Sequence, residues 1–322
     1  MHACSRLSME SLNSEVQHLL QASLAPGSWN VYDNCISKFS QFRFQHDLLE
    51  SWPVPIQHIL LFIAFLSLHG FAPSTISTHI SAIAFIHKLN GWSDLNNSFI
   101  ISKVKEGCRR INNREDSRLP ITFSMLTQLI QKLRPLCNSF DFTLFRASFL
   151  LAFFCFLRIS EYAGRSRYAD TSRVLQVDDI RCPDQNCPSL LVRLRVSKTD
   201  QRGRSVTLKV APLSGSSICP VKAMIDYLAI RPGGVGPLFI HYDSSPLTSC
   251  QVNRKIRSCI DLMGMRSQFY SSHSFRIGAA TSAALSGLSD NTIKTLGRWR
   301  SSAFELYIRP HAIFSDTTHF VV

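Results

Sequence analysis

Between residues 273 and 307 the sequence gathers side chains suited to one task, the handling of a phosphate. His273 and Arg276, in His-Ser-Phe-Arg, stand three apart. At the start of a helix they share a face, one turn from each other, and can hold two oxygens of one phosphate. Downstream, Leu-Gly-Arg-Trp supplies Arg298 and the indole donor of Trp299, and Phe-Glu-Leu-Tyr-Ile-Arg supplies Tyr307, a candidate nucleophile. A tyrosine alone in such a segment is more often part of a core. The cations around it give it the second reading.

Two more positions fit the same chemistry. Arg158 follows an apolar run over residues 147–157, where an unpaired charge would be strongly unfavourable. It therefore needs an anion. Glu161, three residues on, can form an internal ion pair with it, orient it toward a phosphate, or do both. Over residues 189–210 the period changes from helix to strand. Val192, Leu194 and Val196 alternate with Arg193, Arg195 and Ser197. After the turn Asp200-Gln201-Arg202-Gly203, the residues Val206, Leu208 and Val210 alternate with Thr207 and Lys209. Lys198 lies where the first strand of this hairpin enters the turn, within reach of a ligand. An exposed hairpin lysine more often serves solubility, and Lys209 and the turn arginines are rivals for any such role.

Taken together, Leu-Arg-Ile-Ser-Glu at 157–161, the hairpin lysine, His-Ser-Phe-Arg and the Leu-Gly-Arg-Trp to Tyr-Ile-Arg segment resemble the catalytic domain of the tyrosine recombinase, or phage-type integrase, family. The pattern is Cre-like, and the Leu-Gly-Arg-Trp phrasing is similar to recombinases of eukaryotic mobile elements. The resemblance spans most of residues 120–310. It implies that Arg158, Lys198, His273, Arg276, Trp299 and Tyr307 are catalytic, with Glu161 and Arg298 in support. Tyr307 would form a 3′-phosphotyrosyl link and free a 5′-hydroxyl, so that rejoining needs neither ATP, metal nor any other cofactor. One departure stands out: the Cre-like tryptophan lies one residue further upstream, where this chain has Arg298. Either Trp299 fills that role or Arg298 supplies the donor.

The implied function is site-specific DNA recombination or integration on double-stranded DNA, by a homotetramer acting on two duplexes. The resemblance further implies that the apolar tail (Ile313, Phe314, Phe320, Val321, Val322) docks on a neighbouring subunit; a local core strand is the alternative. The alternatives are a type IB topoisomerase-like nicking and closing enzyme, or a DNA-binding protein derived from a recombinase that has lost cleavage.

Composition agrees with a nucleic-acid partner. The chain has 322 residues, 45% hydrophobic and 18% charged, which excludes a disordered tail and allows two cores. Its net charge is +13. Residues 1–100 hold four basic side chains (Arg6, Lys38, Arg43, Lys88) against six acidic ones, so the whole positive balance lies beyond residue 100. An excess of this kind favours a polyanionic partner. Ten cysteines show no repeating spacing, and several (Cys35, Cys155, Cys259) sit in apolar helical patterns. They read as reduced thiols of an intracellular protein, nuclear in a eukaryotic host. Cys182 and Cys187 have no second pair nearby, and a loop with two free thiols is favoured over zinc. No signal-like apolar stretch opens the chain. The runs 59–68 and 147–157 are too short to span a bilayer, which takes roughly 20 apolar residues.

The elements that position these groups are mostly helical. Residues 9–25 place Leu12, Val16, Leu19, Leu20 and Leu24 on one stripe. Helices follow with Trp29, Tyr32, Ile36 and Phe39 inward, with Ile56, Ile59, Leu60, Ile63 and Leu66, and with Ile76, Ile80, Ile83 and His87. Residues 1–110 are expected to form an all-helical domain like the family's core-binding domain. Residues 111–120 form a basic linker, and 121–322 form the mixed α+β catalytic domain of the DNA breaking-rejoining type, with a small antiparallel hairpin sheet. Expected in that domain are helices over 122–133, 141–157, 220–230 and 247–263 and a short strand at 238–240. The helix after Arg276 is rich in small residues, which would let a neighbouring backbone approach closely. Candidate DNA contacts are Lys103, Lys105, Arg109, Arg110, Arg193, Arg195, Arg202, Arg204, Arg254, Lys255 and Arg257. A solvated face competes for each.

Overall fold

Prolines and turn residues divide the chain into elements where the sequence places them. The computed structural model describes residues 7–112, 116–183, 188–195 and 205–310. The chain folds as two units, Met1–Asp116 and Ser117–Val322.

The first unit is helical: α1 (Met9–Ala22), α2 (Pro26–Gln45), α3 (Ile56–Leu68), α4 (Pro73–Leu89) and α5 (Phe99–Ile111). Pro26 and Pro73 occupy the first turns of α2 and α4, where a missing N–H costs nothing. Gly70, at φ 72°, follows α3 and turns the chain in a conformation that suits glycine. The core joins Phe39 and Phe42 of α2, Ile59, Phe62, Ile63 and Leu66 of α3, and Ile76, Ile80 and Ile83 of α4. His87 is buried as expected. Its Nε2 accepts from the Val54 amide at 3.0 Å, so its Nδ1 carries the proton toward the Ser93 carbonyl at 3.1 Å. The stripe expected to face inward on α1 is only partly covered, with Leu20 and Leu24 half-buried. Leu12, Val16 and Leu19 are 43%, 51% and 59% exposed, and α1 buries no residue. Periodicity identified an apolar face but not a surface to cover it.

The second unit opens with α6 (Phe123–Leu133), capped by Thr122, whose hydroxyl accepts from the Met125 amide. Next comes α7 (Ser139–Phe154), whose residues 147–153 are all buried. It ends three residues short of the expected 157, because Phe156 takes a left-handed φ of 50° and turns the chain. The short helix α8 (Ile159–Tyr162) follows. The sheet has three antiparallel strands in the order β1 (Ile180–Arg181), β2 (Leu190–Leu194), β3 (Val206–Val210). In it Leu190 pairs with Val210, Val192 with Leu208, and Ile180 with Val192. The hairpin was expected, whereas the two-residue edge strand β1 is too short to show a period.

Helices α9 (Pro220–Ile230), α10 (Ser249–Asp261), α11 (Ser272–Leu285) and α12 (Asp290–Gly297) complete the unit, with a 3-10 helix over Ser302–Tyr307. Residues 238–240 are buried but form no strand. Ile240 makes only an isolated bridge to Pro246, and its amide donates to the Tyr227 hydroxyl at 2.9 Å. The close approach expected along α11 occurs at Gly278, where a Cβ would lie 1.7 Å from the Ile121 carbonyl oxygen. The entering segment is held there by Leu119 donating to Phe269 and Ile121 donating to Ser274. Among the described residues no helix is long and apolar enough to cross a membrane, and the runs 59–68 and 147–157 belong to packed elements. Cys35, Cys155 and Cys259 are buried and free. Cys187 lies outside the described residues.

Candidate active site

The site begins at the turn that ends α7. The left-handed Phe156 aims the carbonyls of Cys155 and Phe156 toward two guanidinium groups. Arg158 then caps α8: its amide donates to Glu161 Oε2 at 2.8 Å, and its Nη1 meets Glu161 Oε1 at 3.2 Å. Glu161 is 4% exposed, and its Oε2 also accepts from Arg298 Nη2 at 2.8 Å. One buried carboxylate thus serves two arginines. The spacing of three between Arg158 and Glu161 was legible in the sequence; the second partner was not.

Helix α11 supplies the next two groups. Ser271 caps it by accepting from the His273 amide at 3.3 Å, and the Ser272 amide donates to Asn253 Oδ1 of α10 at 2.7 Å, which ties the start of the helix down. His273 is half-buried in the first turn, and Arg276 is fully enclosed one turn on. The guanidinium of Arg276 donates to the carbonyls of Phe156 and Gly297. Its Nε has no partner. Burial above all, and then the like charges of Arg158 and Arg298, push its pKa down to about 9. Burial lowers that of Arg298 as well, opposed by Glu161. Among the described residues, three guanidinium groups share the one carboxylate of Glu161, an excess of positive charge that an anion would relieve.

The close of α12 decides which residue faces that charge. Ser289 caps the helix, accepting from the Thr292 amide. Arg298 at its end is left-handed, with φ 55° and ψ 43°. This turns its side chain inward, where Nη1 donates to the Cys155 carbonyl at 2.9 Å and Nη2 to the Phe156 carbonyl at 3.3 Å, besides Glu161. Trp299 folds back over Gly297, where a Cβ would lie 1.6 Å from the indole. Its ring lies 4.1 Å from the Arg276 guanidinium and 4.9 Å from the Tyr307 ring. Arg298 and Trp299, the two rivals for one role, take different places. Arg298 braces the turn before Arg158, and Trp299 stands beside Arg276 and Tyr307.

Tyr307 ends the 3-10 helix that Ser301 caps and the buried Phe304 anchors. Its ring centroid is 5.1 Å from that of His273, and the Arg276 guanidinium lies 5.5 Å from the ring. Arg158, His273, Arg276, Trp299 and Tyr307 therefore converge, with Glu161 and Arg298 behind them. Lys198, Arg202 and Arg204, and the tail beyond residue 310, lie outside the described residues.

The other cations scatter. Lys255 was expected to meet phosphates but is turned inward, because its Nζ donates to the Leu136 carbonyl at 2.6 Å and sits over the Phe145 ring. Arg254 and Arg257 remain exposed on α10. Arg193 is exposed on β2, whereas Arg195 pairs through Nε with the buried Asp179 at 2.6 Å. Asp179 went unnoticed in the sequence, although the spacing of Gln176 and Asp179 has the form of a capping box. On α5, Lys103 and Arg110 both pair with Glu106, Arg109 is exposed, and Lys105 is half-buried. Among the described residues no cluster of side chains could hold a metal ion.

No protein-family model matches the chain. It is 23% identical over 319 residues to an integrase/recombinase xerD homolog of Selenomonas ruminantium, covering 95% of this chain and 88% of that protein. Its fold is similar to that of the XerH site-specific recombinase bound to palindromic difH substrate, with a TM-score of 0.61 at 15% identity over 90% of this chain and 77% of that one. It is also similar to the Tn1549 transposon integrase in complex with transposon right end DNA, with a TM-score of 0.61 at 13% identity over 95% and 96%. A lambda integrase dimer bound to a COC′ core site gives 0.59 at 15% identity over 94% and 77%.

Proposed function

We propose that this chain belongs to the tyrosine recombinase and integrase family and is a site-specific DNA recombinase that cuts and rejoins duplex DNA through Tyr307. The observation that carries this reading is the convergence of Tyr307, His273 and Trp299 on the enclosed Arg276, a charge held ready for an anion.

A phosphodiester repels nucleophiles, and in-line attack gathers more charge on its non-bridging oxygens, so preorganised cations are the main catalytic resource. Arg158 and Arg276 neutralise those oxygens, and the Trp299 indole N–H donates to the same phosphate. The Tyr307 oxygen forms a bond to phosphorus while the bond to the 5′-oxygen breaks. The phenol proton passes to His273, and Lys198 delivers a proton to the departing 5′-oxygen. Reversal of the same steps by a second 5′-hydroxyl rejoins the strand, so the bond energy is stored in the phosphotyrosyl link and neither metal nor ATP is used. Acting on two duplexes calls for a homotetramer, two subunits to each duplex.

A nicked suicide duplex carrying the repeat that flanks the gene provides the test. Wild-type protein should form a denaturant-stable adduct, and Tyr307→Phe should form none. An adduct retained by Tyr307→Phe would remove the assignment. An adduct with no strand exchange between duplexes would favour a nicking and closing enzyme.

A further inference from the structure

We propose that Thr281 is a positioning residue for the nucleophile, a hydroxyl clasp that holds the Tyr307 backbone against the helix carrying the phosphate clamp. This rests on the reading of Tyr307 as nucleophile. Thr281 is fully enclosed on α11, downstream of His273 and Arg276 on the same helix. Its Oγ1 donates to the Tyr307 carbonyl at 3.1 Å and accepts from the Arg309 amide at 3.1 Å.

Both bonds are unusual uses of a helical threonine. Inside a helix a threonine hydroxyl ordinarily bonds back to the carbonyl one turn earlier, as Thr78 does to Ser74. Thr281 instead reaches across to another segment and engages the residue that carries the nucleophile and the second residue after it. A 3-10 helix ends at Tyr307, so the Tyr307 carbonyl would otherwise be one of the orphan acceptors of a helix end. Arg309 reinforces the clasp, its Nε donating to the Leu306 carbonyl at 3.1 Å and its Nη1 to the Arg118 carbonyl. Tyr307 is thus tied at its backbone to the helix that presents His273 and Arg276.

The consequence is geometric. The phenol must meet the phosphorus in line with the leaving oxygen, and a displacement of about 1 Å at a reacting group costs on the order of 10²-fold in rate. A hydroxyl that fixes two backbone groups, one on each side of Ile308, restrains both the position and the tilt of that turn. The rings alone do not, since stacked and edge contacts permit sliding.

Thr281→Val keeps the shape and removes both bonds, and Thr281→Ser keeps the hydroxyl. In the full-length protein, Thr281→Val should slow adduct formation at saturating protein by about 10- to 100-fold. The concentration giving half-maximal duplex binding should change little, and Thr281→Ser should recover most of the rate. Independently of any DNA, hydrogen exchange of the Arg309 amide should accelerate in Thr281→Val and stay protected in Thr281→Ser. An unchanged adduct rate in Thr281→Val would overturn the proposal, as would equal slowing in both variants or an Arg309 amide that exchanges alike in all three proteins. If wild-type protein forms no adduct, the recombinase reading fails instead, and the exchange measurement still decides whether the clasp exists.

Discussion

Two buried arginines, one in each unit, have similar packing and opposite electrostatic surroundings. Arg43 is 1% exposed, lies 4.5 Å from the Phe39 ring and 5.7 Å from that of Trp52, and donates to the Ser51 carbonyl at 3.1 Å. Arg276 is 0% exposed, lies against the Trp299 and Tyr307 rings, and also donates to carbonyls. In both, Nε lacks a partner. Burial lowers the pKa of each, but the charge acting on Arg43 is the opposite one of Glu50, whereas the larger charges acting on Arg276 are those of Arg158 and Arg298, of its own sign. The first arginine is locally balanced and reads as structure. The second lies chiefly among charges of its own sign, an arrangement suited to an anionic ligand.

Truncating the two arginines should separate these roles most widely. Arg276→Ala should reduce adduct formation by about 10²–10³-fold, the usual loss for one preorganised donor in an active site. Arg43→Ala should cost about 2–4 kcal/mol of stability through lost packing and leave the rate per folded molecule unchanged. Single-turnover cleavage alongside thermal unfolding reads both, and a rate defect in Arg43→Ala beyond its unfolded fraction would break the comparison.

Alkaline pH offers a second contrast. An arginine at its ordinary value stays charged throughout pH 7–11, but Arg276, pushed down to about 9, loses its proton in the folded protein above that point. The kcat/KM for cleavage should therefore fall by up to about tenfold per pH unit beyond about 9. The sign for stability is the reverse. From about pH 9 up to the ordinary arginine value the unfolded chain holds a proton on this group that the folded chain lacks, so the contribution of Arg276 to stability rises with pH. A pH profile flat to pH 11 would mean that Arg276 keeps its proton in the folded protein.

The smallest effect concerns an anion alone. Sulfate at about ten times its dissociation constant should stabilise the second unit by ~1.4 kcal/mol in wild-type protein, and by nothing measurable in Arg276→Ala. Equal stabilisation of both proteins, followed by thermal unfolding, would mean that the positive cluster does not collect anions.

Much of the site was legible in the chain order. His273 and Arg276 one turn apart, the Arg158 and Glu161 spacing, and the Ser289 and Ser301 caps are local patterns, governed by contacts within one or two helical turns. The helix boundaries at 220–230 and the alternation of the hairpin were readable for the same reason. Lys198 was equally legible as a hairpin lysine, and its place in the site remains a proposal.

What the sequence by itself determined, then, was which groups are available, the order in which they come, and the concentration of positive charge beyond residue 100. The tertiary structure alone decided where side chains point and who meets whom. Arg298 turns inward because it sits in a left-handed conformation at the end of α12, and that lets Trp299 fold over Gly297 onto Arg276. Lys255 and Arg195 were drawn to a carbonyl and a buried carboxylate on other elements, and Thr281 to the turn of Tyr307, while most of the α1 stripe stays exposed. Periodicity and capping act over a few residues. Partner choice is settled by packing between segments distant in the chain, where the cost of leaving a buried polar group unpaired selects one arrangement among many that the local sequence allows.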